Sequence, residues 1–356
     1  MAPATVVPLQ PVVYVLARDT PDRETNVMSR LTNAGRLFAA AFLGLAVPAA
    51  VPAMAQQAFP SQPLKLVIPL AAGGVGDTTA RLVAEMMGDK LGQRIVIENI
   101  PGPGGNAAAR AVLQQPADGH TMMLLTNGTA IGVTLLKTMS YNPVKEFEPV
   151  AKFGYFEFFF ATRGDGPHKT MAELIASAKA NPGKLNVGTT TTGSTQHLTA
   201  LLLKSTAGIE FQWVPFKTTP DLLIALIRGD IDMTVEAYSA LKGNADDGKI
   251  RILAASSAAR SPAAPAIPGA RESGAGDAMD VVAWNGVFVK AGTPPAAIST
   301  LNKAAADALS DTRLKQRLLD LGITAEAGTP KQMGDLLQSE IARWAKVIEA
   351  NKLQQQ

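Results

Sequence analysis

Three stretches of the chain carry side chains and spacings suited to holding an anion without a metal or a nucleophile. The first, residues 70–79, reads LAAGGVGDTT. Its glycines Gly73 and Gly74 let backbone N–H groups approach a carboxylate closely, and Asp77 or Thr78 can cap a helix starting there. A tight turn with an N-cap is the plainer reading of the same residues. The stretch lacks the Gly-Lys-Ser/Thr of a phosphate loop and the full GxGxxG of a dinucleotide site. The second stretch, residues 188–197, reads GTTTTGSTQH and packs six hydroxyl side chains into positions 189–195. Thr189, Thr190 and Ser194, with Gly193 between them, offer donors to a carboxylate at the start of a helix. Simple N-capping by a Ser/Thr-rich loop is the alternative. The third, residues 231–239, places Glu236 at a strand end, where it accepts from a ligand amine, holds a water or caps the next helix. Lys217 occupies a comparable strand end, where it balances an anion or extends into solvent.

Other catalytic equipment is sparse. There is no Cys, which excludes disulfides, thiol catalysis and Cys-ligated zinc, and His120, His168 and His197 are far apart. No metal and no cofactor is therefore expected. Ser194 and His197 lie three apart on an expected helix, but no acid accompanies them and there is no GxSxG elbow. An exported Ser/His hydrolase is the weaker reading, and the chain reads as a non-enzyme. With 33 Lys+Arg against 30 Asp+Glu, a net charge of +3 gives no basic footprint for nucleic acid. A 47% hydrophobic content over 356 residues suits two folded domains.

The amino-terminal region reads as a leader. From Met28 a basic stretch with Arg30 and Arg36 enters an apolar run, residues 37–47, and a small-residue site ends at Ala55. That is the pattern of a cleaved secretory signal peptide over 28–55. The run is too short to span a bilayer, and Pro48 and Pro52 interrupt it. Residues 1–27 contain Asp19, Asp22 and Glu24 and read as a spurious extension ahead of a start at Met28. The expected product is periplasmic.

The elements that must position the three loops alternate β-rich and helical runs. Strands are expected at 64–68, 94–98, 121–125, 153–161, 185–188, 211–214, 231–235, 250–254 and 281–289. Helices are expected from about 77 to 91, up to about 115, and over 171–180, 194–205 and 220–228, with 294–352 almost wholly helical. The alternation predicts an α/β fold with parallel sheets covered on both faces. Residues 56–160 plus 284–356 are expected to form one lobe and 161–283 the other, with a ligand cleft between them. In such sheets ligands sit beyond the strands' carboxyl ends, where all three loops fall.

Taken in order, the motifs PSQPLKLVIPLAAGGVGD (60–77), LGQRIVIENIPGPGGN (91–106), PADGHT (116–121), YNPVKEFEPV (141–150), NPGKLNVG (181–188), GIEFQWVPFK (208–217), IRGDIDM (227–233) and WNGVFVKAGTPP (284–295) resemble the Bug (TctC-type) extracytoplasmic receptors of tripartite tricarboxylate transporters. The resemblance covers essentially all of the chain after the leader. It implies a type II periplasmic-binding-protein fold closing on a small organic acid, a carboxylate or acidic amino acid, with membrane permease subunits as partners and a monomeric receptor. A receptor presenting its ligand to a sensory system is the alternative. Carried over residue by residue, the ligand loops supply Gly73, Gly74, Asp77 and Thr78 from one lobe. The other lobe supplies Thr189, Thr190, Gly193 and Ser194, together with His197 of the family's His-Leu pair. Glu236 stands near where many members have Asp. Thr191 replaces a glycine of the family's loop and Thr218 a glycine after the lysine, so the ligand itself does not carry over.

Overall fold

Strand β1 (Leu64–Ile68) is buried at every position but Lys65, as a strand covered on both faces must be. In this computed structural model, which describes residues 59–355, β1 lies between β2 (Ile95–Asn99) and β3 (Thr121–Thr126), parallel to both. Helices α1 (Val75–Leu91), α2 (Asn106–Leu113) and α3 (Asn127–Leu135) follow these three strands, with a short 3₁₀ turn at Pro103–Gly105. The expected signal peptide (28–55) and extension (1–27) lie outside the described residues.

Strand β4 (Phe147–Arg163) is 17 residues long and belongs to two sheet halves. Phe147–Glu157 pair with β9 (Val282–Lys290), and Phe158–Arg163 pair with β7 (Met233–Ala237) and β8 (Ile250–Ala255). The second half continues through β5 (Leu185–Thr190) to β6 (Phe211–Phe216), giving the order β2-β1-β3-β9-β4-β7-β5-β6. Its helices are α4 (Met171–Ala180), α5 (Thr195–Ala207), α6 (Thr219–Arg228) and α7 (Tyr238–Asp246). After β9 the chain closes with α8 (Pro295–Ser310), α9 (Thr312–Asp320), the two-residue β10 (Thr324–Ala325) and α10 (Pro330–Ala350). Among the described residues no helix is long and apolar enough to cross a membrane.

The expectation of parallel sheets needs correcting. Parallel pairing holds within each βαβ run, but β9 is antiparallel to β3 and β4, and β4 is antiparallel to β7, β8 and β10. The chain leaves the first half along β4 and returns along β9, so these two strands must run in opposite directions. Other elements also differ from the sequence reading: β4 begins at Phe147 rather than at 153, and β10 interrupts the expected helical stretch. β7 runs from Met233 to Ala237 rather than over 231–235, and just before it the Asp232 carboxylate accepts from the Asn186 backbone N–H at 2.8 Å. α3 was not expected, since two glycines interrupt it; Thr126 and Thr129 form a reciprocal capping box that starts it.

The core follows the two halves. Leu66, Ile68, Met87, Leu124, Phe153 and Leu301 pack together on one face of the first half. Trp284, Trp344, Phe160, Leu198 and Met233 belong to a larger cluster shared by α10 and both halves. Both halves therefore hold their strand ends on packed supports.

Candidate ligand-binding cleft

Five helices start around one cavity of about 880 Å³. Its lining takes Val75 and Gly76 from α1 with Gly74 just before it, Asn127 from α3, Thr195 and Gln196 from α5, Thr219 and Pro220 from α6, and Ser239 and Ala240 from α7. Each helix follows a strand whose carboxyl end points here, as α/β topology requires. The first N–H groups of a helix have no partner within it, and the peptide dipoles add partial positive charge there. Ser194, Thr218 and Thr126 cap α5, α6 and α3 with their own side chains, whereas no side chain caps α1 or α7. Phe156, Phe158 and Trp284 add apolar wall, and among the described residues no Lys, Arg or His lines the cavity. The surroundings suit an anion held by backbone rather than by cationic side chains.

The first predicted loop is held open by Asp77. Its buried carboxylate accepts from the Gly73 N–H at 2.8 Å, from Arg81 Nε at 2.9 Å and from Asn99 Nδ2 at 2.8 Å. Asn99 also donates to the Leu70 carbonyl at 3.0 Å, so the loop is tied at both ends. Gly73 turns its N–H onto Asp77 at φ +87°, a conformation L side chains rarely adopt. Burial pushes the Asp77 carboxyl up, but hydrogen bonds from Arg81, Gly73 and Asn99, together with the Arg81 charge, outweigh it and hold it below its ordinary value. Gly73 and Gly74 line the cavity, whereas Asp77 and Thr78 do not. Thr78 contributes a helical N–H to the Gly74 carbonyl.

The second loop is organised by His197 and Trp213. The imidazole stacks on the Trp213 ring with centroids 4.1 Å apart, and its Nδ1 accepts from the Gly193 N–H at 3.1 Å. Trp213 Nε1 donates to the buried Thr189 Oγ1 at 2.9 Å. Burial lowers the His197 pKa to about 4, and an accepting Nδ1 also favours the neutral ring. Ser194 Oγ accepts from the His197 backbone N–H and donates to the Thr190 carbonyl, both at 3.2 Å. No hydrogen bond joins Ser194 Oγ to the imidazole, so the pair lacks a nucleophile–base contact. Gly193 and Ser194 line a separate cavity of about 390 Å³ beside Gly102–Gly105 and the start of α3. Thr189, Thr190 and His197 line neither cavity.

Glu236 does line the main cavity, at the end of β7. It is 3% exposed; its carboxylate accepts from Thr219 Oγ1 at 3.0 Å, from its neighbour Ala237 N–H at 3.0 Å and from Gln196 Nε2 at 3.5 Å. Burial raises its pKa, and those three hydrogen bonds offset part of the rise. Lys217 is exposed and stays outside both cavities. Sequence reasoning missed Asn127, Gln196, Thr219, Phe156 and Trp284 as cavity residues. The position of Gln196 and Thr219 just after strand–loop junctions was the available signal. Among the described residues no protein group accepts from the buried Trp284 Nε1.

Two α/β halves sharing strands beneath a cleft ringed by helix starts define a periplasmic-binding-protein fold. The model of the "tripartite tricarboxylate transporter family receptor" matches residues 79–353, and the chain belongs to that family, TctC. Rpa4515 of R. palustris, solved with adipate, is 32% identical and superposes with a TM-score of 0.72, covering 82% of this chain and 97% of that one. MatC from Rhodopseudomonas palustris, solved with bound malate, is 33% identical with a TM-score of 0.69 over 82% and 100% of the two chains. The periplasmic binding protein BugD is 27% identical with a TM-score of 0.70 over 84% and 100%. The family is the one that the Bug-type motifs implied.

Proposed function

We propose that the chain is an exported receptor that captures a small organic carboxylate in the 880 Å³ cleft and delivers it to the membrane subunits of a tripartite tricarboxylate-type transporter. The observation that carries this reading is the convergence of five helix starts, two of them uncapped by side chains, on a cavity that no cationic side chain lines among the described residues. Gly74 and the first amides of α1 face the carboxylate from the first lobe, while Gly73, whose N–H is held by Asp77, shapes the turn that presents them. The starts of α5, α6 and α7 face it from the second. Asp77, Thr189 and His197 act behind these loops by fixing their shape, and Gly193 and Ser194 border the adjoining cavity. The adipate and malate in the related structures support a small acid as the ligand class. The leader at 28–55 supplies export to the periplasm with cleavage after Ala55.

Closure on the ligand is a hinge motion where the chain crosses between lobes: within β4, whose pairing changes from one half to the other at Glu157/Phe158, and at the entry to β9 at Val282. Thermal unfolding with a panel of mono-, di- and tricarboxylates, aromatic acids and acidic amino acids tests the proposal. A bound acid at a hundred times its Kd stabilises the folded state by about 2.7 kcal/mol. A ligand-free sample stabilised by no acid in the panel would refute it.

A further inference from the structure

Resting on the carboxylate reading, one group in the cleft bears on which acids it accepts. Glu236 is the sole ionisable side chain lining the main cavity among the described residues. It is almost fully buried, and all three of its hydrogen bonds run toward its oxygens: from Thr219 Oγ1, Ala237 N–H and Gln196 Nε2. A carboxylate so surrounded is organised as an acceptor. Among the described residues no cation is paired with it, and a buried negative charge without a counter-charge favours a partner that brings a donor or a positive charge. A second carboxylate in the same space meets a like charge, which disfavours ionisation of both.

We propose that Glu236 is the specificity-determining residue of the cleft, selecting acids that carry one carboxylate and, at the other end, an amine or hydroxyl that donates to it, and rejecting acids that end in a second carboxylate. The ligand then spans the cleft with its carboxylate on the backbone amides of the first lobe and its donor end on the second. The apolar walls of Phe156, Phe158 and Trp284 cover the intervening chain. The neutral amide of a glutamine at this position keeps the size and removes the charge, so discrimination falls without the cavity changing shape.

Calorimetric titration at pH 8 of the ligand-free protein and its Glu236→Gln variant tests this. The probes are two matched sets: butanoate, 4-aminobutanoate, 4-hydroxybutanoate and succinate, then hexanoate, 6-aminohexanoate, 6-hydroxyhexanoate and adipate. In the wild type, the amino or hydroxy acid of at least one set binds tenfold or more tighter than its dicarboxylate. In Glu236→Gln that ratio falls below threefold. A dicarboxylate binding as tightly as its donor-ended counterparts in the wild type overturns the proposal, and this holds even if the variant fails to fold. An unchanged ratio in a folded variant overturns it too. Binding of no acid in either set, together with no stabilisation across the wider thermal panel, overturns the carboxylate reading itself.

Discussion

His197 stands behind the 188–197 loop as a neutral ring, and that state has a measurable cost in acid. Its imidazole is 2% exposed, stacked on Trp213 and committed at Nδ1 to the Gly193 N–H. In the folded protein its pKa is lowered to about 4, against an ordinary 6.5 when unfolded. Between those values the unfolded chain binds the proton and the folded chain does not, so stability falls as pH drops through this window. The contribution is complete above pH 6.5 and lost progressively toward pH 4. Lowering the pH from 7 to 5 should therefore remove about 2 kcal/mol through this one residue. Urea unfolding followed by tryptophan fluorescence at both pH values measures the change. In His197→Asn the amide Oδ1 keeps an acceptor for Gly193, but nothing at the position titrates. The variant is less stable at pH 7 through the lost stacking, yet its loss between pH 7 and pH 5 is smaller than the wild type's by about 2 kcal/mol. The comparison cancels Glu157 and Glu236, whose raised pKa values act in the opposite direction. Equal losses in the two proteins would refute the buried neutral imidazole.

Two further outcomes follow from the loops. Asp77→Asn should lower stability at pH 7 by about 2 kcal/mol, because charge-assisted hydrogen bonds from Gly73 and Asn99 weaken while half-exposed Arg81 adds little. Asp77 is held below its ordinary value, so its contribution is present above the unfolded carboxylate pKa and is lost as pH falls through the folded one. The variant should thus lose less than the wild type between pH 5 and pH 3 in urea titrations. Gly193→Ala should cost about 1–3 kcal/mol in thermal unfolding, since φ there is +76° and a Cβ collides with Leu135 Cδ2 of α3. An unchanged midpoint would show that the loop is held differently.

Much of the framework was legible because its signals are local. β1 at Leu64–Ile68 and α4 at Met171–Ala180 fall where the apolar runs and their turn residues put them. Strand direction was not legible: β4 and β9 carry the same apolar character a parallel strand would, and only the route between lobes sets their sense. In the cleft, Gly73, Gly74 and Glu236 were found from their places at strand ends, and all three line the cavity. Asp77 and His197 were placed at the loops with both readings open, because a side chain that shapes a loop and one that touches a ligand occupy the same positions in sequence. Trp213 and Asn99 were invisible as loop supports. Their partners, Thr189 and Asp77, are 24 and 22 residues away and meet them only through the sheet.

The ring of helix starts has a consequence for how such a receptor changes over time. Peptide dipoles belong to the backbone, so the attraction for an anion survives nearly any replacement of the side chains around it. It does not titrate and needs no lysine or arginine to be preserved. Mutations at the cavity wall are then free to alter length, bulk and polarity preferences one at a time while the general affinity for acids persists. A scaffold of this kind is suited to diversification: new ligands are reached by small steps, none of which passes through a receptor that binds nothing.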